Sequence, residues 1–263
     1  MRIVLVGLGW LGEPLAASLM AAGYSVCGTV RSADKAQRLS AEGYCVQEWV
    51  AEKAEPLPFD LLDCCLVITL PPSSVPDYVD TLRRLVLQAR QQQCRQIVMV
   101  SSTAVYSDDD SGCELSPPSP DTARGALLLQ AEAVVKTDDV PWLVFRAAGL
   151  IGPGRHPSRF LSGKRTARGG ARVNLVHLDD VVRFLLAGIT QRCGGQTFNL
   201  CSPDHPSRQD FYSRACQRAG VALPEFTDDS RGGKQIDGQR VVNALGETYH
   251  VSDWMHWLES API

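Results

Sequence analysis

The chain has 263 residues, 44% apolar and 21% charged, with a formal net charge of −3. That length can bury a substantial core, as one large domain or a core domain with a smaller lobe, and the charge excludes any overall attraction to nucleic acid or anionic membrane. The nine cysteines show no C-x-x-C pair and no zinc-like Cys/His spacing, so no metal site is expected and the thiols read as reduced, in a cytoplasmic protein.

A β-branched and leucine run over residues 2–6 predicts a strand, and the chain enters it with no leader pattern. Gly7-Leu8-Gly9-Trp10-Leu11-Gly12 follows directly and opens an Ala- and Leu-rich helix over 11–22. In that position Gly7 permits a tight turn, Gly9 lets a pyrophosphate approach, and Gly12 lets helix and strand pack closely. The amides of the Trp10–Leu11 turn then hold phosphate at the helix start; the plainer alternative is a glycine turn with no ligand. A second strand over 24–30 runs into Gly28-Thr29-Val30-Arg31-Ser32, where an Asp or Glu would accept from both hydroxyls of an adenosine ribose. No carboxylate stands in that segment. Arg31 with Ser32 suits a 2′-phosphate, so NADP(H) is expected ahead of NAD(H), the alternative being a surface arginine of no consequence.

Further on, helices are expected over 33–41, 75–93 and 122–136, and strands over 65–70, 96–101 and 142–146, with a weaker one at 44–47. Cys64 and Cys65 read as strand packing, since adjacent side chains point to opposite faces. Asp108-Asp109-Asp110 reads as a solvated loop. Parallel strands need crossovers of this length, so the expected class is α/β, a doubly wound parallel-sheet Rossmann fold with a small C-terminal substrate lobe. After Arg146 the stretch 149–170 is rich in Gly, Pro and Arg; helices follow at 178–190, 207–219 and 251–259, with a short strand at 198–200. The nucleotide domain is expected over 1–150, with 173–200 returning to it, and the lobe over 151–172 and 201–263. No run approaches the about 20 apolar residues that span a bilayer.

Five segments in order resemble the extended short-chain dehydrogenase/reductases, the NAD-dependent epimerase/dehydratase family, and a bacterial subgroup of it in particular. They are the glycine loop, Val100 to Tyr106, Phe145 to Arg155, Val176 to Val181, and Thr197 to Leu200. The resemblance implies that Ser102, four residues before Tyr106, hydrogen-bonds the reacting carbonyl or hydroxyl, with Ser101 beside it at the cofactor. It implies that Thr69, Leu70, Pro71 and Pro72 pass the cofactor's central ribose and phosphates, and that Ala147, Ala148, Gly149 and Leu150 run beside the nicotinamide. His177 and Asp179 match a structural motif, with Asp179 capping the next helix, and Tyr106 matches a packing tyrosine.

The chain departs from the family at the Tyr-x-x-x-Lys pair. Anchored on Pro120 and Glu132, those positions are Arg124 and Leu128, and none of the six tyrosines is followed four residues later by lysine. Arg124 stays protonated, so it orients an anion rather than acting as a base; losing acid/base assistance costs on the order of 10² to 10⁴ in rate. From Arg155 to Arg172 the chain carries Arg155, Arg159, Lys164, Arg165, Arg168 and Arg172 without one Asp or Glu. Many family members bind a nucleotide-sugar diphosphate there, so Arg155, Arg159 and Arg165 are expected to bind a small anionic substrate; the alternative is a solvated loop. No aromatic platform accompanies the charge to suit nucleic acid. Two functions stand open, an NADP(H)-dependent oxidoreductase, epimerase or dehydratase, and an NADP(H)-responsive regulator without turnover; so does self-association as a homodimer.

Overall fold

The computed structural model describes the chain from Met1 to Ile263 except Asp109, Asp110, Cys113 and Arg231, with Ser111 described by its backbone alone. In chain order it contains β1 (Arg2–Val6), α1 (Gly12–Ala21), β2 (Ser25–Val30), α2 (Ala33–Ala41), β3 (Cys45–Glu48), β4 (Cys65–Ile68), α3 (Tyr78–Gln91), β5 (Gln96–Ser102), β6 (Ser111–Gly112) and α4 (Ala123–Val135). It continues with β7 (Trp142–Ala147), β8 (Gly149–Ile151), α5 (Ser158–Leu161), β9 (Arg165–Thr166), β10 (Leu175–His177), α6 (Leu178–Thr190), β11 (Gln196–Leu200), α7 (Arg208–Arg218), β12 (Glu225–Phe226), β13 (Gln235–Ile236), α8 (Gln239–Leu245) and α9 (Trp254–Ser260).

Seven strands form one sheet in the order β11-β7-β5-β4-β1-β2-β3, and the neighbours from β5 to β3 pair in parallel. This is the doubly wound Rossmann order expected from the sequence. Residues 3–6 of β1 and all of β4 are fully buried, which is why these strands read as unbroken apolar runs rather than alternating ones. The strand order reverses between β1 and β4, and sheets of this kind bind ligands beyond the carboxyl ends of the strands at that reversal. The helix expected from residue 75 starts instead at Tyr78, after a short 3-10 turn over Pro72–Ser74; Pro76 holds the residue before it out of helical geometry.

The chain falls into two compact units. The first comprises Met1–Ser102, Ala123–Phe145 and Phe184–Thr197, and the second Thr103–Thr122, Arg146–Arg183 and Phe198–Ile263. The second unit has its own apolar cluster, in which Ile151, Val173 and Leu175 meet Phe211, Trp254 and Leu258. It also has a buried polar pillar: Arg146, 3% exposed, donates to the Tyr106 hydroxyl at 2.7 Å, and that hydroxyl donates to Asn199 Oδ1 at 3.0 Å. Both hydrogen-bonding roles of Tyr106 are therefore used inside the fold, and burial raises its pKa.

The start of α6 is capped differently from the sequence expectation. The Asp179 amide donates to His177 Nδ1 at 3.2 Å, so the imidazole supplies the acceptor that Asp179 was expected to give. Asp180, fully buried, accepts from the amides of His250 and Val251 and from Arg183, at 2.8, 3.2 and 2.9 Å, tying the C-terminal segment to this helix. Of the acidic run read as a solvated loop, Asp108 is instead ion-paired with Arg168; Asp109 and Asp110 lie outside the described residues.

Candidate functional site

The first unit carries a crevice of about 260 Å³ at the ends of β1, β2 and β4, lined by Gly7 to Gly9, Thr29 to Ser32 and Thr69 to Pro71 among others. Its floor is a backbone knot. Gly7, at φ +102°, donates its amide to Thr29 Oγ1 at 3.1 Å, and the Thr69 hydroxyl donates to the Gly7 carbonyl at 2.7 Å. A Cβ on Gly12 would stand 2.2 Å from that same Gly7 oxygen, so α1 approaches the turn as closely as it does only through glycine. Gly9 differs: a Cβ there would meet no protein atom within 4 Å. Nothing in the chain demands glycine at that position, and the space beside it faces the crevice. That is the cradle a pyrophosphate needs, with the residues 9–12 turn leading into a ten-residue helix that has no side-chain N-cap. The residues present therefore fit a dinucleotide.

The far end of the crevice corrects one reading of the sequence. Arg31 donates to Glu52 Oε1 at 2.7 Å and to the Ser74 carbonyl at 3.1 Å, and Glu52 itself lines the crevice. A carboxylate thus stands beside Arg31 in the crevice after all. It comes from the short turn Ala51–Lys53 after β3, not from the end of β2. The side chain of Arg31 is 67% exposed, so this pair is weak, worth at most about 1 kcal/mol. Ser32 lines the crevice and caps α2, accepting from the Lys35 amide at 3.4 Å. Lys35, Trp49 and Ala51, which motif reasoning missed, also line it. Leu70 and Pro71 line it as well, whereas Pro72 borders a shallower depression with Arg31 and Glu52. Trp10, Leu11 and Gly12 form the turn into α1 and are not part of the lining.

At the β5 end of the first unit, Ser101 is buried and donates to Glu132 Oε1 at 2.7 Å. Glu132, fully buried on α4, is also paired with Lys136 at 3.1 Å. Ser102, the last residue of β5, is half-buried. Of the two positions that the sequence sets against the tyrosine and lysine of the resembled family, Arg124 is exposed in the first turn of α4 and Leu128 is 1% exposed in the core. Leu128 is therefore a packing residue on the buried face with Gly125, Ala131 and Val135.

In the second unit, Ala147 and Ala148 are buried, and the Ala148 amide donates to the Leu200 carbonyl at 2.9 Å. Gly149 and Leu150 lie in β8, paired in parallel with Leu175 and Val176. Arg155, Arg159 and Arg165 are exposed. The basic stretch is not unopposed, however, because acids distant in sequence reach it. Arg165 pairs with Glu225 at 3.3 Å, Arg168 with Asp108, and the Arg168 amide donates to Asp228 at 3.1 Å. Arg159 and Arg172 donate to the carbonyls of Gly154 and His205 at 3.3 and 3.0 Å. Among the described residues no group of three or more His, Cys, Asp or Glu side chains is placed to hold a metal, and no helix is long and apolar enough to cross a membrane.

A doubly wound sheet, a glycine turn at its reversal and a crevice shaped for a dinucleotide define a Rossmann-type nucleotide-binding protein. Comparison with known proteins agrees. Residues 2–111 match the family described as the NAD binding domain of 6-phosphogluconate dehydrogenase. Among solved structures, a functionally unknown conserved protein from Silicibacter pomeroyi superposes with a TM-score of 0.81 at 26% identity, covering 98% of this chain and 97% of that one. A putative NAD-dependent epimerase/dehydratase from Methylobacillus flagellatus gives 0.76 at 21% identity, covering 99% and 97%. MoeE5 in complex with UDP-glucose and NAD gives 0.78 at 19%, with the same coverage. More specifically, protein YeeZ of Escherichia coli K12 is 36% identical over 275 aligned positions, 96% of this chain and 97% of its own length. The chain belongs to the YeeZ family, built on the fold of the NAD-dependent epimerase/dehydratases.

Proposed function

We propose that this protein binds NAD(P)H in the β1–β2–β4 crevice, with NADP(H) preferred, and acts in the cytoplasm as an oxidoreductase, epimerase or dehydratase on a small anionic substrate. The observation that carries the reading is the contrast between Gly12, which the fold itself requires, and Gly9, where a Cβ would meet no protein atom within 4 Å and the crevice lies open. A nicotinamide bound there would give or take hydride. The chain's own part is to hold the pyrophosphate on the amides around Gly9 and to meet a 2′-phosphate with Arg31. That phosphate would replace Glu52 as the partner of the guanidinium, exchanging a single exposed carboxylate contact for a forked, charge-assisted one. Ser102 polarises the reacting oxygen, and Arg155 and Arg159 attract the anionic end of the substrate.

A second reading, an NADP(H)-responsive binding protein without turnover, is favoured by one observation. At the position where the family's lysine would tune a neighbouring tyrosine, Leu128 is packed into the core. Calorimetric titration with NADPH and NADH separates the cofactor claims, with NADPH tighter and its advantage lost in Arg31→Ala; equal affinities in the wild type sink the preference. Turnover of NADPH with a panel of phosphorylated and carboxylated carbonyl compounds separates the two readings. Measurable oxidation that falls in Ser102→Ala supports the enzyme; binding without oxidation across the panel supports the regulator.

A further inference from the structure

Cys27 in β2 and Cys45 in β3 are register partners in a parallel pair, so their side chains leave the same face of the sheet side by side. Their sulfurs are 2.6 Å apart. Adjacent strands run about 4.7 to 4.9 Å apart, inside the Cα separation of roughly 4.4 to 6.8 Å that a disulfide spans. β3 is the edge strand of the sheet, and Cys45 is exposed with Cys27 half-buried beside it. A small reagent therefore reaches this pair. The second close pair makes the contrast: Cys64 and Cys94 are 3.7 Å apart, but both are buried in the core.

We propose that Cys27 and Cys45 form a thiol–disulfide exchange site whose co-reactant is a low-molecular-weight disulfide of the glutathione class. Cys45, the exposed thiol, attacks one sulfur of the reagent as its thiolate. The Cys45–reagent bond forms, the reagent's S–S bond breaks, and one reagent thiol leaves. Cys27 then loses its proton to solvent and attacks Cys45 Sγ, forming the Cys27–Cys45 bond and expelling the second reagent thiol. The protein dithiol is oxidised by two electrons and one disulfide is reduced to two thiols. The order of attack follows from burial, which together with the contact to Cys45 pushes the Cys27 thiol up to about 11. Once Cys45 is in the mixed disulfide, its contribution to holding Cys27 protonated is gone.

The bond would close a loop across the 18-residue separation of the two cysteines and staple the edge strand to β2. Both strands run from this point to the crevice, β2 to Thr29 and Arg31 and β3 to Trp49 and Glu52. A cross-link acting mainly on the unfolded chain stabilises the native state, so oxidation should raise the melting temperature.

The test treats the full-length protein with millimolar oxidised glutathione at mildly alkaline pH, alkylates the remaining thiols, and maps unreduced peptides by mass spectrometry. The expected result is a Cys27–Cys45 cross-linked peptide, reversed by dithiothreitol, with Cys64 and Cys94 still free thiols. The melting temperature should rise by several degrees in the wild type and not in Cys45→Ser. Cys27→Ser should trap glutathione on Cys45 as a stable mixed disulfide. A mixed disulfide that persists at Cys45 in the wild type, no trapping in Cys27→Ser, or full alkylation of both cysteines after oxidation would each overturn the proposal.

Discussion

At the crevice end of the first unit two glycines stand in opposite settings: the Gly7 carbonyl leaves no room for a side chain on Gly12, while the space beside Gly9 is open. At the β5–α4 end of the same unit, the side chains are set by packing and by solvent. Leu128 fills the core, Arg124 faces solvent, and the buried carboxylate Glu132 is spent on Ser101 and Lys136. The difference teaches that the two ends of the sheet answer to separate demands. The glycine turn is set by backbone geometry, independently of which side chains α4 buries or exposes.

The comparison is broken most severely at Gly12. Gly12→Ala forces a Cβ against a backbone oxygen and should cost about 3 kcal/mol or more by overpacking, read as loss of the cooperative melt or a drop of more than ten degrees. Gly9→Ala, with no protein atom in reach of the new methyl, should melt within a degree or two of the wild type. Equal losses in the two variants would mean that Gly9, too, is held by the fold.

At the other end, Leu128→Lys places an ammonium where the native side chain is 1% exposed. The buried carboxylate one turn away, Glu132, is already held by Ser101 and Lys136, so the expected penalty is still about 3 kcal/mol, as for a buried charge without a partner of its own. Arg124→Tyr, at an exposed site, should be nearly neutral for stability. The paired substitution Arg124→Tyr with Leu128→Lys should therefore fold poorly rather than gain carbonyl reduction. A well-folded double variant with new NADPH oxidation would show that α4 can turn its buried face toward a substrate, and would undo the contrast drawn here.

Acid should separate stability from binding. Burial holds the pKa of His156 and of His177 below the ordinary 6.5, against the pull of Asp179 and Asp180 on the latter. The unfolded chain thus takes up protons at a higher pH than the folded one, and stability that is full above about 6.5 is lost as pH falls through the lowered folded values. The melting temperature should drop by several degrees between neutral pH and about pH 5, less steeply in His156→Gln. Among the described residues no histidine lines the crevice, so NADH affinity of the still-folded protein should stay flat over the same window, whereas NADPH should weaken as its own 2′-phosphate, with a second pKa of about 6, takes up a proton. A parallel fall in NADH affinity would place a titrating group of the protein at the ligand.

The smallest effect is expected at Glu52. Removing the exposed partner of Arg31 in Glu52→Gln should tighten NADPH by a factor of a few, in keeping with a pair worth less than about 1 kcal/mol, and leave NADH within twofold. An unchanged ratio of the two affinities would detach Glu52 from cofactor choice.

The sheet was legible because its strands are apolar runs set off by crossover helices, and α2 and α6 appear with the bounds the sequence suggests. Ser32 fixes the start of α2 by capping it, and residues beyond Ala41 lead to a positive-φ Gly43. The strand pair β8–β10 was not legible. Three residues carry no period, and what defines them is pairing between Gly149 and Leu175, far apart in sequence. Glu52 escaped for the same reason: it meets Arg31 across 21 residues, while a ribose-binding carboxylate was sought only at the end of β2. The acids facing the basic stretch, Asp108, Glu225 and Asp228, come from segments 60 or so residues away. The burial of Leu128 was hidden because α4 places Gly125, Ala131 and even Glu132 on its buried face, so apolarity alone did not mark which side packs inward.

The central claim is that the crevice beside Gly9 is a dinucleotide site that the fold does not need for itself. Calorimetric titration of NADPH into wild-type protein and Gly9→Ala, each checked by its melting curve, tests this directly. Saturable binding to the wild type is expected, with a loss of about a hundredfold, near 2.7 kcal/mol, in a variant that melts normally. Binding that is equally tight in Gly9→Ala, or absent from the wild type, would contradict it.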